Sequence, residues 1–375
     1  MSVYTRPDPS QKPEFSAASL SQQPAPGLIF QKWQAWDDFD KFDRKDARPG
    51  YLRDIAAAVH AVYQNQSAYP VWHQRYIAAL TALGIDNLKT YRTVWRLIVG
   101  WGSNPALEAG LTLHHLYGFP YIPGSAVKGL LHHCAELETM EMVDLTAAKF
   151  KEDQPLPLDK DPDAWLDTLI SRLCLIKVIF GSLHLEKAEV KHENSTLHLF
   201  GEECPKPLLE VLKRKLDRQA GDLKKHRQDL PDSWKKIDLR LEYLLEENAG
   251  SLVRFYDAVP KPDQDKLLQT DIVNCHYSEY YSDTDLSHPP SDDQQPIPVT
   301  FLAVRPGAAF QFPFRIARWP SCPARDEEEQ RAWDALQDKT PDEIHCLIEH
   351  WLEVALTTWG IGAKTAAGYG YFKPV

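Results

Sequence analysis

The chain has 375 residues, which is enough for one large domain or two ordinary ones. Hydrophobic residues make up 43% and charged residues 25% of the chain, a balance typical of soluble globular proteins and not of disordered ones. No apolar run reaches the ~18 residues of a membrane-spanning helix. The first residues lack the apolar segment of a secretory signal, so a cytoplasmic protein is expected.

The formal net charge of −11 argues against a chain that binds nucleic acid tightly on its own, because phosphate neutralisation requires lysine and arginine. Net charge nevertheless describes the whole surface, whereas binding uses one face. The composition therefore fits a subunit with a locally basic groove inside a larger assembly. The six cysteines form no Cys-x-x-Cys pair, and no metal or other cofactor is expected.

The first part of the chain is predicted to be an arm followed by helices. Residues 1–27 are rich in Pro, Ser and Gln, which predicts a mobile N-terminal arm. Apolar residues then recur at three- and four-residue steps, as in residues 51–62, which predicts a helical region over 28–90. Alternation over Tyr91–Gly100 predicts a strand that ends in a glycine turn.

A turn and a helix start are predicted in the segment Tyr-Ile-Pro-Gly-Ser-Ala-Val-Lys-Gly. Pro123 and Gly124 make the turn, and Ser125 is a good N-cap before an apolar run. Lys128 would occupy the third helical position, where the partial positive charge of the first turn disfavours a cation by roughly 0.3–1 kcal/mol. A bound anion would remove this conflict, and Gly129 would let another backbone approach. The alternative is a tolerated surface lysine.

The middle of the chain differs in composition from the rest. Residues 182–249 carry leucines at heptad spacing, which predicts an inserted helical hairpin with a basic outer surface. A solvated charged face is favoured over RNA contact for this hairpin. Residues 282–298 predict a long loop, and alternation over Ile297–Phe314 predicts a strand pair around Pro306 and Gly307.

The clearest helix is the last one. Thr340 is its predicted N-cap, Pro341 occupies the first turn, and Glu343 completes a capping box. Gly360 is expected to end it. Its predicted apolar face consists of Ile344, Leu347, Ile348, Trp351, Leu352 and Ala355.

After this helix comes a glycine loop, residues 360–370, in which Lys364 and Thr365 interrupt four glycines: Gly360, Gly362, Gly368 and Gly370. Glycine lets successive amides point to one side and lets a ligand backbone approach, so such a nest with one lysine suits a phosphate chain. A Walker A loop does not fit, because Ala363 precedes the lysine and a helix leads in. The remaining alternative is an ordinary turn that joins a helix to an edge strand.

Two parts of the sequence resemble the RAMP superfamily of CRISPR proteins. They are Arg96–Gly102 followed by Leu116–Gly129, and the closing glycine loop. Three further stretches, residues 255–260, 271–281 and 296–302, narrow the resemblance to the sixth-subunit family of type III-B (Cmr) effector complexes. The resemblance covers roughly residues 92–135, 175–181 and 250–375, so no function is carried onto the first ninety residues or the insertion.

The resemblance implies an α+β fold with a ferredoxin-like (RRM-type) RAMP core at 91–181 and 250–375. The helical region 28–90 precedes this core, and the helical insertion 182–249 interrupts it. In function, the resemblance implies a non-catalytic subunit of a type III-B CRISPR ribonucleoprotein for RNA-guided antiviral defence. Its expected partners are the guide RNA (crRNA) near its 3′ end and the other RAMP subunits, with the guide–target duplex as a further partner to consider and no membrane.

Guide recognition of this kind addresses backbone and shape, while base pairing reads the target. The expected RNA-binding residues form three groups. The first is Ser125, Lys128 and Gly129 at the helix start. The second lies in the glycine loop: Gly360, Gly362, Lys364, Thr365, Gly368 and Gly370. The third is His276, Tyr277 and Tyr280, which could stack on bases; core packing is the alternative for these rings.

Two other functions stay open at this point. Some RAMP relatives cut guide precursors by general acid–base chemistry on the 2′-hydroxyl, and His114 or His115 is the candidate base. A structural histidine is the favoured interpretation of both. The second alternative is a purely architectural subunit whose glycine loop only packs against neighbouring subunits.

Overall fold

A computed structural model describes the chain over the following residues: 27, 30, 48–65, 68–85, 88–102, 109–143, 162–181, 198–199, 202–203, 250–262, 264, 266–275, 296–317, 319, 333–334, 336 and 339–375. It combines helices with antiparallel strand pairs. The helices are α1 (Arg48–Gln64), α2 (Tyr69–Ala82), α3 (Gly124–Met142), α4 (Pro162–Phe180) and α5 (Pro341–Val354). A π-helical turn, Ala355–Trp359, and a 3-10 turn, Thr365–Ala367, follow α5.

Ten strands are described in chain order. They are β1 (Lys89–Thr93), β2 (His198–Leu199), β3 (Glu202–Glu203), β4 (Val253–Phe255), β5 (Val259–Pro260), β6 (Leu268–Cys275), β7 (Ile297–Val304), β8 (Ala309–Phe312), β9 (Phe314–Ile316) and β10 (Phe372–Pro374). The main sheet has the order β10-β1-β8-β5, while β2–β3, β4–β9 and β6–β7 form separate pairs. Every pairing is antiparallel.

The main sheet has one aromatic face. Tyr91 lies opposite Phe310 on one side and Pro374 on the other, and Thr93 lies opposite Phe372. Because side chains alternate along a strand, these residues share a face with Phe312. The rings meet edge to face, at 5.7 Å between Tyr91 and Phe312 and at 5.6 Å between Phe312 and Phe372. All four rings are buried, so this face forms a core.

The chain divides into two compact units. The first comprises residues 1–127, 256–313 and 356–375, and the second comprises residues 128–255 and 314–355. In the first unit, α2 is tied to the strands by polar contacts. The buried Tyr69 hydroxyl donates to the Pro260 carbonyl, and His73 Nε2 lies 2.8 Å from Gln311 Oε1. Burial raises the pKa of Tyr69 well above its usual value.

The second unit has its own aromatic core. The Phe180 ring stacks on Phe255, with centroids 5.8 Å apart, and also contacts the buried Trp351 at 5.7 Å. Trp351 comes from the apolar face of α5, and its indole N–H donates to Glu138 on α3. This hydrogen bond satisfies the one polar atom of a large ring that is otherwise removed from water.

Several predicted elements are confirmed. Thr340 and Glu343 form a reciprocal capping box at the start of α5, as predicted. Gly360, with φ of +74°, follows the helix, although a π-helical turn separates it from the last α-helical residue. The helical pattern before residue 90 is present as α1 and α2.

Other predictions need correction. The strand predicted over Tyr91–Gly100 is β1, which begins earlier and ends at Thr93. Beyond it, Leu97 makes an isolated bridge to Val304. Both strands of Ile297–Phe314 exist, but they do not pair with each other: β7 pairs with β6, and β8 pairs with β1 and β5. Strand partners are chosen by contacts distant in sequence, and local alternation carries no information about them.

Some predictions concern residues outside those described. They are the mobile arm, apart from Gly27, and residues 282–295 of the predicted loop; the last two residues of that loop, 297 and 298, belong to β7 instead. The predicted helical hairpin at 207–249 also lies outside them, while the same insertion contains the short pair β2–β3, which was not predicted.

Candidate nucleic-acid interface

The backbone of the glycine loop repeatedly enters the left-handed region, where φ is positive. Gly360, Gly362, Gly368 and Gly370 all have positive φ, between +74° and +97°. Lys364 also has a left-handed backbone, with φ of 62° and ψ of 32°, and it precedes the 3-10 turn. The amides of Lys364, Thr365 and Ala366 donate to no backbone carbonyl within the described residues. The loop therefore presents consecutive donors next to one lysine.

Two of the glycines are required by the protein's own packing. A methyl group at Gly362 would come 2.1 Å from the Ile98 carbonyl oxygen, and one at Gly370 would come 2.1 Å from that of Ile361. Real Cβ atoms do not approach oxygen so closely, so neither position accepts a side chain. At Gly360 the nearest atoms are 3.2–3.3 Å away, whereas Gly368 faces open space. Close approach at 362 and 370 thus serves the fold, which the sequence reading did not foresee.

The loop is hydrogen-bonded to the segment that follows β1. The Ala363 amide donates to the Ile98 carbonyl at 2.8 Å, and the Gly370 amide donates to the Arg96 carbonyl at 2.8 Å. The Val94 amide in turn donates to Tyr371 at 2.8 Å. These bonds bring together the two stretches, 96–102 and 360–370, that were singled out separately in the sequence.

Lys364 occupies a position that suits glycine better. Among the described residues it is the single non-glycine with positive φ. The left-handed conformation costs a residue with a Cβ roughly 1–2 kcal/mol. The Lys364 ammonium lies 4.9 Å from the centroid of the Trp101 ring, a contact worth about 0.5–1 kcal/mol at a partly exposed site. The contact offsets part of this cost, and a strained backbone that the fold retains is a reason to examine the residue for a function.

An ionic network anchors the second half of the loop. The Tyr369 hydroxyl donates to Asp271 Oδ2 at 2.5 Å, and Arg96 Nε lies 3.2 Å from the same oxygen. Burial and the hydrogen bond to Asp271 raise the pKa of Tyr369 to about 12. The hydroxyl therefore stays protonated at neutral pH and acts as a donor. Asp271 therefore anchors this half of the loop.

The helix start differs from its prediction. Helix α3 begins at Gly124, so Ser125 lies inside the helix and is exposed rather than serving as N-cap. The cap comes from a distant residue: the Gly124 amide donates to Asp257 Oδ1 at 2.8 Å. A carboxylate at this position satisfies an orphan donor and complements the helix dipole. The anion expected at the helix N-terminus is thus supplied by the chain itself.

This shift also moves Lys128 and Gly129. Lys128 is the fifth residue of α3, beyond the first turn, so the predicted conflict with the helix dipole is largely removed. It is half-buried, and burial lowers the pKa of its ammonium group. Gly129 is exposed, and a methyl group there would meet nothing within 4 Å. Because Ser125 and Gly129 are four residues apart, they are neighbours on one helix face, and both are exposed.

His132 lies one turn beyond Lys128 on α3. Its ring contacts Phe180 at 5.1 Å, and Nε2 is 3.8 Å from Glu136 Oε1. Burial, followed by the nearby charges of Lys128 and His133, lowers the pKa of His132 to about 4. The contact with Glu136 would raise this pKa, but at 3.8 Å it does not outweigh the loss of hydration. His132 is therefore neutral at pH 7.

The ring of His114, the candidate base, is engaged by neighbouring residues of the fold. Its Nδ1 accepts weak hydrogen bonds from the amides of Leu116 (3.3 Å) and Tyr117 (3.4 Å), and its ring stacks on Phe119 at 4.7 Å. Burial lowers the pKa of His114. Its neighbour His115 is exposed. Over the described part of the chain, no three His, Cys, Asp or Glu side chains cluster closely enough to hold a metal ion.

The third predicted group, His276, Tyr277 and Tyr280, lies outside the described residues. Sequence reasoning missed one contributor that is described, Trp95 beside Arg96. The Arg96 guanidinium lies 4.4 Å from the centroid of the Trp95 ring. The signal for Trp95 was an aromatic residue next to arginine directly after a strand.

Comparison with known proteins places the chain in a family. The sequence matches the RAMP superfamily over residues 90–373, which is most of the chain, and the chain belongs to that superfamily. It is also similar to the CRISPR system Cmr subunit Cmr6 of Pyrococcus furiosus, with 28% identity over 314 residues. That similarity covers 80% of this chain and 72% of the relative.

Two solved structures are among those similar to this chain. One is a cryo-EM structure of the type III-B Cmr-beta complex bound to cognate target RNA, with a TM-score of 0.40 and 15% identity, covering 89% of this chain and 75% of that chain. The other is the crystal structure of Cmr6 from Pyrococcus furiosus, with a TM-score of 0.30 and 20% identity, covering 77% of this chain and 97% of that chain. Among the described helices of the present chain, none combines the length and apolar character needed to cross a bilayer.

Proposed function

We propose that this chain is a non-catalytic subunit of a type III-B CRISPR ribonucleoprotein and that it holds guide RNA near its 3′ end. Membership of the RAMP superfamily and the similarity to Cmr6 support the assignment to such a complex. The other RAMP subunits of the complex, and the guide–target duplex when a target is bound, are its proposed neighbours. The proposed core is ferredoxin-like and comprises 91–181 and 250–375, flanked by 28–90 and interrupted by 182–249.

The observation that carries the RNA contact is Lys364. It keeps a left-handed backbone that would suit glycine, and its contact with Trp101 offsets at most part of the strain. Strain of this kind persists where function requires it. Three consecutive amides beside this lysine, at 364–366, are the donors that a phosphate chain accepts. The proposed contact set of the loop is Gly360, Gly362, Lys364, Thr365, Gly368 and Gly370.

Helix α3 supplies a second, separate set of contacts: Ser125, Lys128 and Gly129. Asp257 already occupies the position at the first amide of the helix, so we place the phosphate contact on the exposed face of Ser125 and Gly129. An exposed glycine inside a helix costs about 1 kcal/mol relative to alanine. Nothing in the described chain approaches Gly129 closely enough to require it, which fits a ligand backbone that comes close.

The test uses the reconstituted effector complex. Lys364→Glu and Lys128→Glu are expected to weaken guide retention, each by about tenfold or more, because a charge-assisted phosphate contact is replaced by repulsion. The matched control is Lys261→Glu, an exposed lysine that the described residues engage through its backbone amide and carbonyl. Thermal unfolding of each variant is measured in parallel. Unchanged guide affinity with lowered thermal stability would contradict the proposal and favour an architectural role.

A guide-processing ribonuclease is the competing function. The hydrogen bonds that His114 Nδ1 accepts and the stacking on Phe119 support a structural role instead. Incubation of the purified protein with labelled precursor RNA in the presence of a chelator decides between the two. Site-specific cleavage that is lost in His114→Ala or His115→Ala would overturn the non-catalytic assignment.

A further inference from the structure

An exposed tryptophan lies beside the glycine loop on a fixed backbone. Val94 and Trp95 follow strand β1, whose last residue, Thr93, is buried, and they remain 52% and 44% exposed. The Val94 amide is bonded to Tyr371, and the Arg96 carbonyl accepts from Gly370, each at 2.8 Å. The indole is therefore carried by a backbone held on both sides, although its ring stays open to solvent. Exposing a large ring costs hydrophobic free energy, which a bound partner would recover.

The surroundings of the ring are cationic. Arg96 lies over one face of Trp95 at 4.4 Å and is itself fixed by Asp271 at 3.2 Å. Among the described residues, no other aromatic ring contacts Trp95. An arginine stacked on an exposed ring is a common arrangement where proteins hold bases of single-stranded nucleic acid.

A second feature lies on the neighbouring strand pair. Arg92 on β1 and Lys373 on β10 are exposed and directly opposite each other. Like charges in this position are destabilising. No carboxylate of the described residues lies within 4.0 Å of either side chain. An anion between them would relieve the repulsion.

The charge of this region opposes that of the whole chain. Among the described residues, five cations belong to the loop, residues 94–102 and strands β1 and β10, namely Lys89, Arg92, Arg96, Lys364 and Lys373, and these segments carry no Asp or Glu of their own; the Asp271 carboxylate contacts one of the five, Arg96. The chain as a whole has a net charge of −11. A local excess of cations around an exposed ring favours a polyanion with stackable bases over an apolar protein surface.

We propose that Trp95 is a stacking platform for an unpaired base of single-stranded RNA and that the Arg92–Lys373 pair holds a phosphate of the same strand. The proposal rests on the proposed function and extends the RNA path beyond the glycine loop. Residues 92 and 95 lie three positions apart, on either side of the end of β1 at Thr93. Stacking on Trp95 accepts any base, because every base has a π-face, so the platform adds affinity without sequence preference.

The experiment compares Trp95→Ala and Trp95→Phe in the reconstituted effector complex. The alanine variant is expected to weaken guide RNA binding by about 5- to 150-fold, and phenylalanine is expected to restore most of it. Leu116→Ala removes an apolar side chain that is 65% exposed in the same unit and is the control. Arg92→Gln and Lys373→Gln are expected to lower the slope of log affinity against log salt by up to about 0.7 together, as for one lost phosphate contact.

Each outcome has a defined meaning. Loss of guide binding in Lys364→Glu together with wild-type binding in Trp95→Ala would overturn the platform and leave the proposed function standing. Wild-type binding in both would overturn the proposed function as well. If Trp95→Ala instead releases the subunit from complexes assembled without guide RNA, the ring is a protein contact and the platform is wrong. Crosslinking of a 4-thiouridine guide to Trp95, lost in the alanine variant, supports it.

Discussion

In the glycine loop, Gly362 and Gly370 face carbonyl oxygens of the protein itself, at 2.1 Å from the place a methyl group would take. On α3, a methyl group at Gly129 would meet nothing within 4 Å. Both regions place glycine beside lysine in the sequence, yet the loop glycines serve backbone packing while the helix glycine leaves an open surface. A glycine motif in a sequence therefore indicates that another group lies close to the glycine backbone. Only the fold shows whether that group belongs to the protein or to a ligand.

The largest expected effect is on stability, and it separates a glycine that packs against the protein from one that faces open space. Gly362→Ala should lower the free energy of unfolding by about 3 kcal/mol or more, because a clash adds to the strain of a positive φ. Gly368→Ala is the matched control, since it has φ of +86° but open space, and it should lose only about 1–2 kcal/mol. Urea denaturation measures both. Equal losses would show that the contact with Ile98 does not hold the loop.

The helix region should respond to acid through His132. The pKa of His132 is lowered to about 4 in the fold and lies near 6.5 when unfolded, so the unfolded chain binds the extra proton between these values. Stability should therefore fall as pH drops through this window, by about 2–3 kcal/mol in total. His132→Gln should flatten this slope in denaturation series from pH 7 to 4. His133→Gln, a change of the mostly exposed neighbouring imidazole, is the control; an equal effect there would contradict the assignment to His132.

The cap of α3 tests how the helix start is held. Asp257→Ala should cost about 1 kcal/mol, because the Gly124 amide loses its acceptor. Asp257→Asn keeps an oxygen at the same place and should cost less. Thermal unfolding compares the two variants. If both lose the same stability, the negative charge and not the hydrogen bond carries the effect.

The smallest expected effect has the opposite sign. Gly129→Ala should stabilise the protein by up to about 1 kcal/mol, since alanine favours the helix and the site is open. The same variant should weaken guide retention, because the methyl group stands where we place the RNA backbone. Paired measurements of unfolding and guide affinity check this. A destabilised variant would contradict the open geometry, and unchanged affinity would contradict the contact.

Local signals predicted the local structure well. The capping box from Thr340 to Glu343 is a four-residue pattern with its own hydrogen bonds, so it could be recognised without knowing the fold. The ordering of the strands could not be obtained this way, because β7 and β8 each pair with partners chosen by distant contacts. The two-residue shift at the start of α3 has the same origin, since its cap, Asp257, lies 133 positions from Gly124 in the sequence.

The candidate site was predictable to a similar extent. The glycines of residues 360–370 and the lysine at 364 predicted a loop that could bind a phosphate chain. The backbone of this loop has the positive φ angles that the glycines suggested. The packing of Gly362 on Ile98 and the anchoring of Tyr369 by Asp271 depend on segments that meet only in the fold. The role proposed for Trp95 depends on its contact with Arg96 and on the hydrogen bonds that join the residues on either side of it to residues 370 and 371.

The hydrogen bond from Ala363 to Ile98 closes a very long stretch of chain. Closures of this kind form late in folding, after local helices, because chain entropy must be lost before the contact is gained. A ligand that holds both segments binds the folded state alone and stabilises it in proportion to the logarithm of its concentration. Under the proposed function, bound guide RNA therefore also stabilises the folded subunit. The subunit without RNA should be the form that unfolds and is degraded first.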